Sequence, residues 1–334
     1  MMEMAEERIE DVIIVGSGPA GWTAAIYAGR AGLSPLVLAG KKPLGELMRT
    51  HRVYNFPGFA EGIEGGELMD EMRVQALRFG AGVIYEEVTG FALSEPIKVV
   101  RTDERVYRAK AVILAVGARA RQLGIPGENE FAARGIYYTS RVNGPDLEGK
   151  EVAVVGGGDS AVIAASFLSR FARKVHLIHR RDHLRAVSPL AERVQDAENI
   201  EIHWNTEITQ ALGPRDGNLE AIRVRTAASA ANVGNGTEST ENDTETDIPV
   251  DSLFVEIGRE PNTALLQEEL DLGSNGYILV QAPSSRTSRS GVFACGDAID
   301  PVYKEAINAA ASGCRAAIDA QRYVEDIDAV AAAK

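Results

Sequence analysis

The chain has 334 residues, 45% of them hydrophobic and 25% charged, the balance of a globular protein of about two domains. A formal net charge of −13 disfavours nucleic acid and anionic membrane as partners, and no apolar run approaches the roughly 18 residues of a membrane span. The two cysteines, Cys295 and Cys314, have neither Cys-x-x-Cys nor metal-ligand spacing, so no disulfide framework and no metal site are expected.

In chain order, the acidic stretch Met1 to Arg8 lacks the basic and apolar segments of a signal peptide, which points to the cytoplasm. An apolar run, Val12 to Val15, leads into Gly16-Ser17-Gly18-Pro19-Ala20-Gly21, a helix-like stretch to Ala31 and a strand over Pro35–Leu38. In this G-x-G-x-x-G pattern the first glycine permits a tight strand-to-helix turn. The second lets a pyrophosphate approach the backbone, and the third lets helix and strand pack closely. Unpaired N–H groups at the helix start then favour the anion. An acid for a ribose is expected about 20 residues on, at the end of the second strand. Leu38-Ala39-Gly40 stands there instead.

Ala111–Val116 reads as a further strand closing at Gly117, and Ala118 to Gly127 as a connection broken by Pro126 and two glycines. Glu151 to His179 repeats the strand–turn–helix–strand unit, with Gly156-Gly157-Gly158-Asp159-Ser160-Ala161 at its turn. Two such units suggest two dinucleotides on one chain, as hydride transfer between a nicotinamide and a flavin requires. After the second unit, His179-Arg180-Arg181-Asp182-His183-Leu184-Arg185 carries arginines where an acid would read a free 2′-hydroxyl. Guanidinium groups pair with phosphate oxygens, so this site is expected to select NADPH. Thr226 to Asp247 is polar and nearly free of large apolar residues, and reads as a long disordered-type loop between strands Leu219–Arg225 and Ile248–Val255. A crossing is expected near Glu256 to Asn262. Beyond it, Gly296-Asp297 follows an apolar strand and can offer an N–H and a carboxylate to a ribityl chain or phosphate, and an Ala-rich helix runs from Glu305 to Val324. The expected fold class is α/β, with two Rossmann-like, three-layer ββα dinucleotide-binding domains. One of them (120–256) is inserted between the halves of the other (1–119 and 257–334).

Together these segments resemble the low-molecular-weight thioredoxin reductase family over nearly the whole chain. The stretches that carry the resemblance are GSGPAG at 16–21, NFPGF at 55–59, GGELMDEM at 65–72, ILAVGA at 113–118, KEVAVVGGGDSA at 150–161, HRRDHLRA at 179–186 and GVFACGDAID at 291–300. The resemblance implies FAD in the domain of the first turn, at Gly16, Gly18, Pro19, Ala20 and Gly21. Glu46, Leu47, Asn55, Gly117, Gly296, Asp297, Lys304, Glu305 and Ala306 would surround it. It implies NADPH on Gly156, Gly158, Asp159, Ser160 and Ala161, with His179, Arg180, Arg181 and Arg185 toward the 2′-phosphate and Gly258 nearby. It further implies a homodimer, and a rotation of the NADPH domain that brings nicotinamide and flavin together.

Two departures are mild: Leu44-Gly45-Glu46-Leu47 where the family usually has Gly-Gly-Gln-Leu, and Lys304-Glu305-Ala306 where it usually has Arg-Gln-Ala. A third is not. Family members carry Cys-Ala-Thr-Cys-Asp-Gly before the second glycine strand, and here Thr139-Ser140-Arg141-Val142-Asn143-Gly144 aligns without a gap. Disulfide reduction needs one thiolate to attack and a second thiol to resolve, which Thr139 and Val142 cannot provide. Asn143 has the shape of the family's aspartate and cannot transfer a proton. The expected function is therefore that of a flavoprotein in which NADPH reduces FAD and electrons leave to an external acceptor, a ferredoxin or flavodoxin, a quinone or oxygen. The alternatives are a thioredoxin or other disulfide reductase using non-standard thiols, and a non-catalytic sensor of NADPH or flavin redox state.

Overall fold

The structure is a computed structural model that describes residues 8–41, 45–49, 52–139, 142–227 and 243–333. Contacts divide the chain into one unit of Met1–Arg119 with Glu260–Lys334 and a second of Ala120–Arg259. The expected return at 257 precedes the observed one at Glu260.

The first unit opens with β1 (Ile9–Val15), whose Val12, Ile13 and Ile14 are wholly buried because parallel strands flank β1 on both sides. Val12 and Ile14 enter one core, Ile13 and Val15 the other. Helix α1 (Pro19–Arg30) starts on a proline, which costs no bond at that position, and ends at Gly32, with φ +82°. Then follow β2 (Pro35–Leu38), α2 (Gly65–Arg78), β3 (Gly82–Ile84), β4 (Val88–Ala92), β5 (Lys98–Thr102) and β6 (Val106–Leu114). The sheet runs β3-β2-β1-β6-β5-β4. β6 begins at Val106, not at the expected Ala111. Its first half pairs antiparallel with β5, with Lys98 opposite Ala109 and Arg101 opposite Val106, and is too polar to show in an apolar pattern.

In the second unit, β7 (Ile136–Tyr137), β8 (Glu151–Val155), α3 (Asp159–Leu168), β9 (Lys174–Ile178), α4 (Ser188–Gln195) and β10 (Ile200–His203) precede β11 (Thr206–Leu212), β12 (Ala221–Thr226), β13 (Thr244–Pro249) and β14 (Ser252–Val255). A parallel sheet, β7-β14-β8-β9-β10, lies beside an antiparallel one, β11-β12-β13. Val152, Val154, Val175 and Leu177 pack with α3, while Ala153, Val155 and Ile178 share a core with Ile208 and Ile222 of the antiparallel strands. The segment expected as a loop over 226–247 is not loop throughout. Thr244 to Asp247 extend β13, with Thr244 opposite Thr226, and residues 228–242 lie outside the described residues. The expected single strand Ile248–Val255 is two, in different sheets, because the chain turns at Val250-Asp251, where Asp251 accepts the Glu151 N–H at 2.9 Å.

Back in the first unit, β15 (Val292–Ala294) lies beside the second half of β6, with Val292 opposite Val112 and Ala294 opposite Leu114. Helix α5 (Ala306–Ala332) outruns the expected end at Val324, in keeping with the high helix propensity of its alanines. It packs on α1 through small residues; a Cβ on Gly313 would overlap the Ala20 carbonyl. Among the described residues no helix is long and apolar enough to cross a membrane. The sheets and glycine turns make this an α/β fold with two Rossmann-like domains.

Candidate dinucleotide sites

Ligands of open α/β sheets bind beyond the carboxyl ends of the strands. In the first unit four such ends meet: Gly16 N–H donates to Leu38 O (3.0 Å), Ala115 N–H to Val15 O (2.8 Å) and Cys295 N–H to Leu114 O (3.0 Å). The three glycines of the turn differ in what they answer to. Gly16 has φ +113°, and a Cβ on it would strike the Ala115 carbonyl; a Cβ on Gly21 would strike the Gly16 carbonyl. Gly18 has an ordinary φ of −80° and no heavy atom within 4 Å of where its Cβ would lie. Neither backbone nor neighbours require glycine there, so the open space at the start of α1 fits an approaching phosphate group.

Pro19 and Ala20 form the first turn of α1 beside this space. Gly296, with φ +72°, is tied to α5 by its N–H to Ser312 Oγ (2.8 Å), and Asp297 beside it is half-buried. Asn55 donates to Glu305 Oε2 (3.3 Å), bringing two expected residues together at the cap of α5. Lys304, at φ +53°, is held by Asp300, whose carboxylate accepts N–H groups from Val302, Tyr303 and Lys304 before Ala306 begins the helix. Glu46 opens a 3-10 turn, Glu46–Arg49, whose Leu47 packs on the core. Gly117, with φ +66°, accepts the Asn262 N–H at 3.0 Å. A carboxylate that the sequence spacing does not reveal also lies near the end of β2. Glu87, just beyond β3, accepts the Lys41 N–H (3.4 Å) and lies 3.5 Å from the Cβ position of Gly40, where β2 lacks its acid. Its neighbour Glu86 is occupied by Thr102, Tyr107 and Arg105.

The second unit repeats the pattern. Gly156 has φ +149°, and its Cβ would meet the Glu256 carbonyl and, at 2.7 Å, the Ala161 methyl. Gly158, at φ −96°, again has open space. Asp159 and Ser160 begin α3 exposed, and Asp159 Oδ1 accepts the Val187 N–H at 3.0 Å. Gly258 has φ +100° and open space beside it. Arg180, Arg181 and Arg185 are exposed and form no ion pair among the described residues. His179 does not extend with them. Its ring is buried against Gly157, Nε2–H donates to His183 O (2.9 Å), and burial pushes its pKa down. The Arg185 N–H donates to Gly157 O (2.7 Å), so ring and turn together hold the arginine loop.

Between the two crossings, Thr139 is half-buried, and Ser140 and Arg141 lie outside the described residues. Val142 packs on the α3 side of the second unit's core. Asn143 donates to Asp146 Oδ1 at 3.1 Å, and Gly144 is buried with its Cβ position 2.5 Å from the Phe171 ring. Cys295 is wholly buried, and burial pushes its thiol up to about 12; Cys314 lies half-buried on α5 beside Tyr27.

Comparison with known proteins places these features in company. Residues 10–313 match the model of the family described as pyridine nucleotide-disulphide oxidoreductase. A thioredoxin reductase of Mycolicibacterium smegmatis is 45% identical over 322 residues, 96% of this chain and 99% of the relative. The solved thioredoxin reductase of Streptococcus pyogenes superposes with a TM-score of 0.85 at 31% identity, covering 96% of this chain and 100% of that one. That of Giardia duodenalis gives 0.84 at 33%, covering 95% and 99%.

Proposed function

The chain belongs to the pyridine nucleotide-disulphide oxidoreductase family as a thioredoxin-reductase-like flavoprotein, and from that premise we propose that it passes electrons from NADPH to an external acceptor without an internal dithiol. The family's cofactors are FAD and NADPH. FAD supplies two-electron uptake with release in ones or twos, and NADPH supplies the electrons.

The first unit would hold FAD, with the phosphates at Gly18 and the start of α1 and the remainder toward Gly296-Asp297 and the cap of α5. Glu87 would take the part of the absent ribose acid. The second unit, Ala120–Arg259, would hold NADPH at Gly158 and Ser160, with Arg180, Arg181 and Arg185 receiving the 2′-phosphate and His179 keeping their loop in place. The chain is expected to act as a homodimer.

The observation that carries the acceptor reading is what stands at the dithiol positions. Thr139 has a hydroxyl, Val142 is spent on packing, and Asn143 is spent on Asp146. Neither remaining cysteine supplies the missing pair: Cys295 is buried and protonated, and Cys314 has Tyr27, not a thiol, beside it. A ferredoxin, flavodoxin, quinone or oxygen would then be the acceptor.

Anaerobic titration of the yellow protein tests the first step: NADPH is expected to bleach the flavin at one equivalent, NADH far more slowly. No bleaching with either would favour a sensor over an enzyme. Turnover with thioredoxin and a disulfide dye would overturn the acceptor reading. Turnover with ferredoxin and a cytochrome, with a quinone, or with oxygen supports it.

A further inference from the structure

We propose that His176, His203 and Glu201 form a binding site for one zinc-like divalent transition-metal ion in the second unit. The three come from neighbouring parallel strands: His176 on β9 stands opposite Glu201 on β10, and His203 opposite Ile178. Alternation puts them on one face, that of Ala153 and Ile178.

The geometry is that of a triangle of donors. His176 Nδ1 lies 3.0 Å from His203 Nε2 and 3.9 Å from Glu201 Oε2, and His203 Nε2 lies 3.7 Å from Glu201 Oε1. A tetrahedral ion with bonds of about 2.0–2.2 Å sets its donors about 3.3–3.6 Å apart, within the range of these separations. Without an ion, the 3.0 Å contact of the two ring nitrogens is a hydrogen bond through one shared proton, and a metal bound by both rings and the Glu201 carboxylate would replace that proton.

A second observation concerns the far side of the same imidazole. His176 Nε2 is buried with no hydrogen-bond partner, and Glu151 Oε2 stands 3.7 Å behind it. With Nδ1 committed to a metal, the proton belongs on Nε2, facing that carboxylate, the usual arrangement behind a ligand histidine. Two imidazoles favour zinc, copper or nickel over magnesium or calcium.

One cation already competes. Lys174 Nζ is 2.6 Å from Glu201 Oε2, and its side chain is partly exposed and free to swing away. Metal and Lys174 would therefore exclude each other at Glu201, which gives the site a signature of its own.

The test uses tag-free holoprotein stripped with a chelator and titrated calorimetrically with zinc. One equivalent is expected, weakened at least tenfold in His203→Gln and Glu201→Gln and tightened in Lys174→Met. Both weakened variants alter partly exposed side chains, so flavin spectrum and unfolding temperature should be unchanged. Copper should quench Trp204, next to His203 in sequence, and the quench should vanish in Trp204→Phe. Absence of a one-equivalent zinc phase, binding unchanged in both weakened variants, or equal binding of magnesium would overturn the site.

Discussion

The imidazole of His179 occupies the space where a side chain on Gly157 would have to lie. This contact joins the two halves of the second nucleotide site, because the ring also holds His183 O and Gly157 O holds the Arg185 N–H. Gly157→Ala should push the ring aside at an overpacking cost of about 1–3 kcal/mol and displace the arginine loop. The Michaelis constant for NADPH should rise ten- to a hundredfold, with FAD content unchanged. Steady-state kinetics on the purified variant check it, and an unchanged constant would remove His179 from its positioning role.

The glycines of the two turns separate by cause, and substitution should separate them too. Gly18→Ala and Gly158→Ala meet nothing in the protein and have ordinary φ, so both variants should fold with wild-type stability. The first should be purified without flavin and the second should bind NADPH poorly. Gly21→Ala forces a methyl into the Gly16 carbonyl and should lower the stability of the first unit by several kcal/mol. Thermal unfolding and absorbance at the flavin band distinguish the two classes. A flavin-replete Gly18→Ala protein would count against FAD at that turn.

Much of this was legible in the chain. Val12 to Val15 and Val152 to Val155 are continuous apolar runs because strands flanked on both sides are buried on both faces, and the glycine turns follow from their spacing. What was hidden depends on pairing. β13 is an edge strand with Thr244 to Asp247 exposed and only Ile248 buried, so no hydrophobic alternation marks it. Glu87 reaches Gly40 from the end of another strand, and His176, Glu201 and His203 meet only through the register of β9 with β10. His179 read as a ligand-side residue because its neighbours are arginines; the structure turns its ring inward.

Selectivity for NADPH should be carried by exposed guanidinium groups with no competing ion pair among the described residues. A hydrogen bond between a guanidinium and a phosphate oxygen contributes about 1.5–3 kcal/mol. Arg180→Gln and Arg181→Gln together should therefore raise the NADPH Michaelis constant by at least tenfold and leave NADH nearly unaffected. Wild-type NADPH binding should also weaken with salt more steeply than NADH binding. Equal losses for both coenzymes would place the 2′-phosphate elsewhere.

Cys295 should be inert. Its thiol is held at about 12 by burial, well above the unfolded value of about 8.5. A raised pKa means the native state holds the proton more tightly. This contribution to stability is therefore complete below about pH 8.5 and is lost as pH rises toward 12. Native protein at pH 8 should show no alkylation of Cys295 by iodoacetamide over hours, while unfolded protein reacts at once. Mass spectrometry of peptides reads both states, and rapid native labelling would reopen a thiol role.

Val142 separates the two readings of the acceptor most sharply. On the proposed reading it takes the place of the second thiol, and it packs half-buried on the core that includes Val152, Phe254 and α3. If packing is its whole role, Val142→Ala should cost about 1 kcal/mol of stability and leave flavin reduction by NADPH unchanged. Thr139→Cys with Val142→Cys restores the spacing of a dithiol but not the acid at Asn143, which stays bonded to Asp146. That double variant should gain at most slow disulfide reduction, and adding Asn143→Asp should raise it further by restoring a group that can move a proton. Stopped-flow reduction by NADPH and turnover of a disulfide dye with thioredoxin measure the two steps separately. A wild-type protein that already matches the triple variant with thioredoxin would show that its electrons leave through thiols after all.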